Sequence, residues 1–169
     1  NPAIGGLAKG HMVKEIDALG GIMGQAADFS GIQFKTLNKS KGRAVWSPRA
    51  QVDKLKYTQF VQNKITSDKN INVMRGEVVD FTVNNSKVTA VILKDGDTFL
   101  CASLIITAGT FLNGLIHIGA RKFRAGRMGE KPAIGLTESL VNKGFSVGRL
   151  KTGTPPRILR ASIDWKKHF

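Results

Sequence analysis

Val78-Val79-Asp80-Phe81-Thr82-Val83, then Asn84-Asn85-Ser86, then Lys87-Val88-Thr89-Ala90-Val91-Ile92-Leu93 is the stretch on which the reading of the architecture turns. Val79, Phe81 and Val83 alternate with neighbours of different character, and Val88, Ala90 and Ile92 repeat the pattern, which is the period of half-buried strands. Residues 84–86 supply the reversal between them, and Asp95-Gly96 supplies a second one before Thr98-Phe99-Leu100-Cys101. The expectation is a small antiparallel meander. It runs into Ser103-Leu104-Ile105-Ile106-Thr107-Ala108-Gly109-Thr110, whose continuous apolar core predicts a strand buried on both faces of a parallel sheet. That strand would end at a glycine, the place beyond a carboxyl strand end where ligands commonly sit.

Upstream, Asn1-Pro2-Ala3-Ile4-Gly5-Gly6-Leu7-Ala8-Lys9-Gly10-His11 is rich in glycine and carries a cation. Such a run lets the main chain approach an anionic or planar ligand and offer unhindered N–H donors. With no initiator methionine and no strand before it, the segment reads as a piece of a larger ligand-binding enzyme. Met12, Val13, Ile16 and Leu19 share one helical face, which Gly20-Gly21 end. Residues 31–48 show no sustained period and read as a basic surface loop. Ser47-Pro48 has the form of an N-cap and first helical residue, predicting a helix to about Thr66 that buries Leu55, Phe60, Val61 and Ile65. Further on, residues 125–132 form a loop rich in glycine and charge, and Pro132 opens a helix through Leu136, Leu140 and Val141 that stops before Gly144. Residues 145–150 read as a short strand.

The 169 residues are 41% hydrophobic, enough for a core, and hold no apolar run of the ~18 residues a membrane span needs. A lone cysteine, Cys101, excludes an internal disulfide framework, and His11, His117 and His168 are too scattered for a metal site. Charge is the strongest compositional signal: 26 Lys and Arg against 12 Asp and Glu, a net +14. The excess is confined to residues 31–70 and 111–169. A bias of that size points to a polyanion such as nucleic acid, with a solvated lysine-rich surface as the less favoured alternative.

A meander feeding a strand that ends in Ala108-Gly109, after a helix and a strand reached through Gly76-Glu77-Val78, is the order seen in flavoproteins with two dinucleotide-binding domains. The resemblance becomes specific in Asn1-Pro2-Ala3-Ile4-Gly5-Gly6 with Lys9-Gly10-His11, and in Glu15-Ile16-Asp17-Ala18-Leu19. It continues through Gly31-Ile32-Gln33-Phe34, Leu37-Asn38, Ser40-Lys41-Gly42 and Arg49-Ala50-Gln51. Gly114, Ile116-His117-Ile118-Gly119 and residues 150–158 extend it. Collinear over essentially the whole chain, these motifs resemble the MnmG (GidA) family of tRNA-modifying flavoproteins.

The resemblance implies an incomplete α/β, FAD-binding, Rossmann-like fold with an antiparallel β-meander. Residues 1–150 would be a partial FAD-binding domain and residues 151–169 the start of an inserted, NAD-associated second domain. It also implies a flavin-dependent enzyme that adds a carboxymethylaminomethyl group to C5 of the wobble uridine of tRNA. FAD would be the cofactor, NADH and a folate one-carbon donor the co-substrates, and an MnmE-type GTPase the partner. The parent would be a homodimer without a membrane association, in the bacterial cytoplasm or, alternatively, the mitochondrial matrix. The segment by itself is expected to be inactive and to hold FAD weakly.

Residue roles carried over by motif fall in two groups. Val78 matches a main-chain contact to the adenine side of FAD, Gly109 and Thr110 an approach point for the cofactor, and Asn1, Gly5 and Gly6 the floor of the pocket. Position 124 corresponds to a family serine near the flavin, but here it is Arg124, which serves through its main chain or as a cation toward the diphosphate. Lys9, Lys41, Arg43, Arg49, Lys151 and Arg157 are the RNA-facing candidates, with Thr152 and Thr154 in the same loop as the last two. Each has a plain structural alternative: a strand valine, a tight turn, a loop-to-helix turn, a solvated first-turn arginine at 49, a proline-stiffened linker at 151–157. No catalytic residue and no metal ligand is expected within these residues, because Cys101 matches neither family cysteine. Departures from the family pattern include Arg43 in place of proline, Ser47 in place of glycine, and Leu159 and Ala161 in place of charged residues. Two competing functions remain open: a flavin oxidoreductase of a small molecule, and a non-enzymatic basic RNA-binding module.

Overall fold

The computed structural model describes residues 2–153 and 158–167. The chain divides into two units, residues 1–75 and 76–169.

In the first unit, β1 (Ala3–Gly5), α1 (Lys9–Ala18), α2 (Ile22–Ser30), β2 (Gly31–Leu37), β3 (Ser47–Val52) and α3 (Lys54–Ser67) follow in order. Two 3-10 turns, Lys39–Lys41 and Arg43–Val45, join β2 to β3. The strands form an antiparallel sheet in the order β1-β3-β2, with Ile4 opposite Ala50 and Phe34 opposite the same alanine. Small residues make its core: Ala27, Ala50 and Val52 are buried, with Ile4 and Tyr57 packed against them. Partial burial pushes the Tyr57 phenol up from its ordinary pKa. Phe29 on α2 and Phe60 on α3 meet at a ring-centroid distance of 5.3 Å.

Three expectations change here. Residues 31–48, read as a loop, contribute β2 and the start of β3, because Gln33, Phe34 and Lys35 find register partners in Gln51, Ala50 and Arg49. The next helix starts not at Ser47-Pro48 but six residues later. Asp53 is its N-cap, with Oδ1 accepting from Leu55 N at 2.8 Å and Lys56 N at 3.1 Å, so two orphan donors are satisfied there. Pro48 instead sits near the start of the central strand, where its missing N–H does least harm. The expected burial of Leu55 fails, since it is 80% exposed. Helix α1 and its stop at Gly20 (φ +86) are as expected, while α2 is an addition that the spacing did not signal.

In the second unit, β4 (Val78–Asn84), β5 (Lys87–Leu93) and β6 (Thr98–Leu100) form the expected antiparallel meander in that order. Asn85 and Ser86 adopt positive φ of 48° and 60°, the two-residue reversal that matches strand twist. Gly96 (φ +98) makes the second turn, with its N–H on Leu93 O at 3.1 Å. A hairpin of β7 (Leu115–Ile118) and β8 (Arg121–Arg124) follows, and then α4 (Leu136–Asn142). That helix begins four residues beyond Pro132, capped at Gly135, because Ala133 is held extended by hydrogen bonds with Phe111 and Asn113. Gly144 (φ +87) ends it as expected. Short 3-10 turns at Arg160–Ser162 and Trp165–Lys167 complete the described elements.

The strand expected at 103–110 is not formed. Ile105 is 84% exposed, and a parallel strand needs neighbours to take its N–H and C=O groups. The same holds for residues 145–150, which lie outside any strand with Leu150 exposed. What remains is a mixed α/β structure in which every pair of named strands is antiparallel.

Candidate functional site

The opening glycines are fastened to β3 by the main chain. Gly6 N donates to Pro48 O at 2.8 Å, Gly10 N donates to Gly6 O at 2.8 Å, and the buried Ser47 hydroxyl donates to Gly6 O. Gly5 and Gly6 have φ of +79° and +100°, a region that glycine alone enters freely. Ala8 is driven to φ +59° at the entry to α1, so strain is stored in this loop. Beyond the would-be Cβ of Gly6 only the Arg49 side chain comes near, at 4.0 Å.

This loop, α1, α2 and the β2–β3 pair enclose a groove of about 630 Å3, within the range of small-molecule sites. Gly5 and Gly10 form part of its wall, Phe34 and Ala50 give it apolar surface, and Lys14, Lys35, Lys39 and Arg49 bring cations. Asp17 and Asp28 on the helical side temper the charge. Sequence reasoning missed Lys14, Lys35 and Lys39 here. The alternation that places Lys35 opposite Arg49 becomes visible only once β2 is seen as a strand. Arg49 itself is corrected: it is a strand residue on the groove, not a first-turn helical arginine. Lys9 opens α1, and Lys41 and Arg43 lie in the two 3-10 turns beyond β2.

The other cofactor candidates fall in the second unit. Val78 begins β4, an edge strand of its sheet, so among the described residues one side of that strand's backbone has no partner strand. Gly109 turns the chain at φ +57° with open space where a Cβ would be, leaving its main chain approachable. Thr110 donates through its hydroxyl to Gly126 O at 2.7 Å, and Gly114 N–H and C=O groups engage the neighbouring turn and Ala125. A Cβ on Gly126 would enter the Phe111 ring, and one on Gly114 would lie 2.7 Å from Thr110 O. The structure therefore brings residues 109–114 and 124–126 into one tight backbone cradle, with exposed Arg124 at its edge. Lys151 is exposed and outside any element, while Asn1, Thr154 and Arg157 lie outside the described residues.

Helix α4 ties this cradle to the meander. Asn113 Nδ2 donates to Glu138 Oε1 at 2.8 Å, and Gly135 N donates to Glu138 Oε2 at 3.1 Å. The Asn113 hydrogen bond leads the causes that hold the Glu138 carboxyl below the usual range. From the next position of α4, the Ser139 hydroxyl donates to Asp80, which also accepts from Lys143 Nζ at 2.6 Å. Those two hydrogen bonds, Lys143 first, lower the Asp80 pKa from 3.8 to about 2. The Lys143 ammonium also lies 4.5 Å from the centre of the Phe81 ring.

Comparison with known proteins agrees with the sequence motifs. The family model described as "Glucose inhibited division protein A" matches residues 1–169. The chain is 53% identical over 167 residues to the "tRNA uridine 5-carboxymethylaminomethyl modification enzyme MnmG" of Thermodesulfovibrio yellowstonii, covering 99% of this chain and 27% of that one. It is 47% identical over 165 residues to the protein of the same name from Protochlamydia amoebophila, covering 98% and 26%. The solved structure of Aquifex aeolicus GidA superposes with a TM-score of 0.84 at 47% identity, over 92% of this chain and 26% of that one. The chain thus spans about a quarter of the length of the curated relatives it matches. Among the described residues no helix is long and apolar enough to cross a membrane.

Proposed function

The chain belongs to the glucose inhibited division protein A family, and on that premise we propose that it is a segment of an FAD-dependent tRNA-modifying enzyme. The reaction is addition of a carboxymethylaminomethyl group at C5 of the wobble uridine, with NADH and a folate one-carbon donor as co-substrates. An MnmE-type GTPase is the partner, the whole protein is a homodimer, and its place is the bacterial cytoplasm. The observation that carries this reading is about 50% identity over nearly the whole chain to enzymes of that name.

The residues present suit the cofactor. Gly109, with positive φ and nothing beyond its Cα, lets a planar or anionic group reach the main chain, and Arg124 offers a cation toward a diphosphate. Val78 on an edge strand has the backbone to read a base edge, and Gly5, with Gly6 next to it in the chain, lines a groove of suitable volume. A bound flavin supplies redox and group-carrying chemistry that no side chain has, so the protein's part is binding, orientation and electrostatics. Lys9, Lys41, Arg43, Arg49, Lys151 and Arg157 are assigned to the RNA phosphates, whose neutralisation governs affinity. Residues 1–150 form part of the FAD-binding domain in this reading, and 151–169 begin the inserted second domain.

The test is complementation. The full-length gene is expressed in a bacterium lacking its own enzyme, and nucleosides of its tRNA are analysed by mass spectrometry. Restoration of the carboxymethylaminomethyl uridine, with a purified protein that shows flavin absorbance, is the expected result. A colourless protein that binds tRNA without restoring the nucleoside would favour an RNA-binding module instead.

A further inference from the structure

Between Asp28 and Asp53 the chain carries Lys35, Lys39, Lys41, Arg43 and Arg49 and no acid at all. Among the described residues none of these five forms a salt bridge with a carboxylate. Their charge is therefore available to an outside anion.

The connection from β2 to β3 is also built rather than loose. Asn38 (φ +61) and Gly42 (φ +88) turn the chain, and Lys41 N, Val45 N and Trp46 N close successive turns onto Asn38 O, Gly42 O and Arg43 O. At its end stands Trp46. Its indole Nε1 donates to Lys39 O at 3.2 Å, which fixes the plane of the ring, and the Arg43 guanidinium lies 5.9 Å from the ring centre. Even so packed, Trp46 remains 38% exposed. An oriented, partly open indole beside the Arg43 guanidinium, in a connection that also carries Lys39 and Lys41, is the combination that single-stranded nucleic acid requires: cations for the phosphates and an aromatic face for a base.

We infer that Arg43 and Trp46 form a stacking point for an unpaired RNA base, with Lys39 and Lys41 holding the adjoining phosphates. The inference rests on the proposed RNA substrate and adds to it a specific contact, one that double-stranded RNA cannot use because its bases are already stacked. Arg43 contributes twice, as a cation toward phosphate and as a partner that presses on the indole.

The experiment uses the full-length protein and measures binding to tRNA, to oligouridylate and to a blunt RNA duplex as a function of salt. Trp46→Leu and Trp46→Phe both lose the indole N–H to Lys39, and only the second keeps an aromatic ring. The expected result is that Trp46→Leu weakens oligouridylate binding about tenfold while Trp46→Phe stays within about threefold of wild type. Neither changes the salt slope or duplex binding, whereas Arg43→Ala lowers the slope by about 0.7 for the single strand. If wild type binds tRNA and both Trp46 variants match it, or both fall equally, the stacking point is overturned and the tRNA substrate stands. If wild type binds no tRNA, both fall together.

Discussion

Gly10 and Pro48 are in contact through their backbones: a Cβ added to Gly10 would lie 2.6 Å from the Pro48 carbonyl oxygen and 2.8 Å from Ser47 Oγ. Alanine is the better helix former by about 1 kcal/mol, so helix propensity alone favours Gly10→Ala. Packing decides otherwise, because the obstacle is strand backbone that cannot move aside. We expect Gly10→Ala to destabilise by about 1–3 kcal/mol, read as a lower denaturant midpoint of the full-length protein. A midpoint equal to or above wild type would show that α1 does not seat on β3 as described.

Gly109 presents the opposite case. Its φ is +57° but nothing stands within 4 Å of a Cβ there, so Gly109→Ala meets only the left-handed backbone penalty of about 1–2 kcal/mol. If the cofactor approaches the main chain at this turn, the added methyl blocks it, and the purified variant should carry much less flavin while its secondary structure is retained. Full flavin content would assign Gly109 to a simple turn.

The difference between what the residues announced and what they did not follows their range of interaction. The β4–β5–β6 meander was legible because hairpin chemistry at Asn85-Ser86 and Asp95-Gly96 is local and reinforces the alternation on either side. The β1-β3-β2 sheet was not. Its central strand holds Pro48, and its partners Ile4 and Phe34 lie 46 and 16 residues away from their shared opposite Ala50. Ser47-Pro48 imitates a helix start, and only Asp53, with its two accepted N–H bonds, marks the real one. For the site, glycines were visible as glycines, but the groove that gathers Lys35, Lys39 and Arg49 depends on that unseen sheet.

Arg49 lines the groove beside Gly6 and has no carboxylate partner among the described residues. If it neutralises one tRNA phosphate, Arg49→Ala should lower the slope of log affinity against log salt by about 0.9 where the contacted RNA is helical, with flavin content unchanged. Lost flavin with an unchanged slope would move Arg49 to the cofactor side of the pocket.

Asp80 joins the meander to α4 through Lys143 and Ser139, and its pKa near 2 in the fold lies below its ordinary 3.8. A depressed carboxyl pKa means the folded state prefers the charged form. The associated stability is therefore fully present above about pH 4 and is lost as pH falls toward 2. The side chain is 45% exposed, so solvent screening reduces the contribution to about 1 kcal/mol or less. Asp80→Asn keeps the shape and removes the charge. The expected outcome is a lower urea midpoint than wild type at pH 7, with the gap narrowing steadily below pH 4. A gap that stays constant across that range would mean the Asp80 carboxylate contributes geometry and no charge-dependent stability.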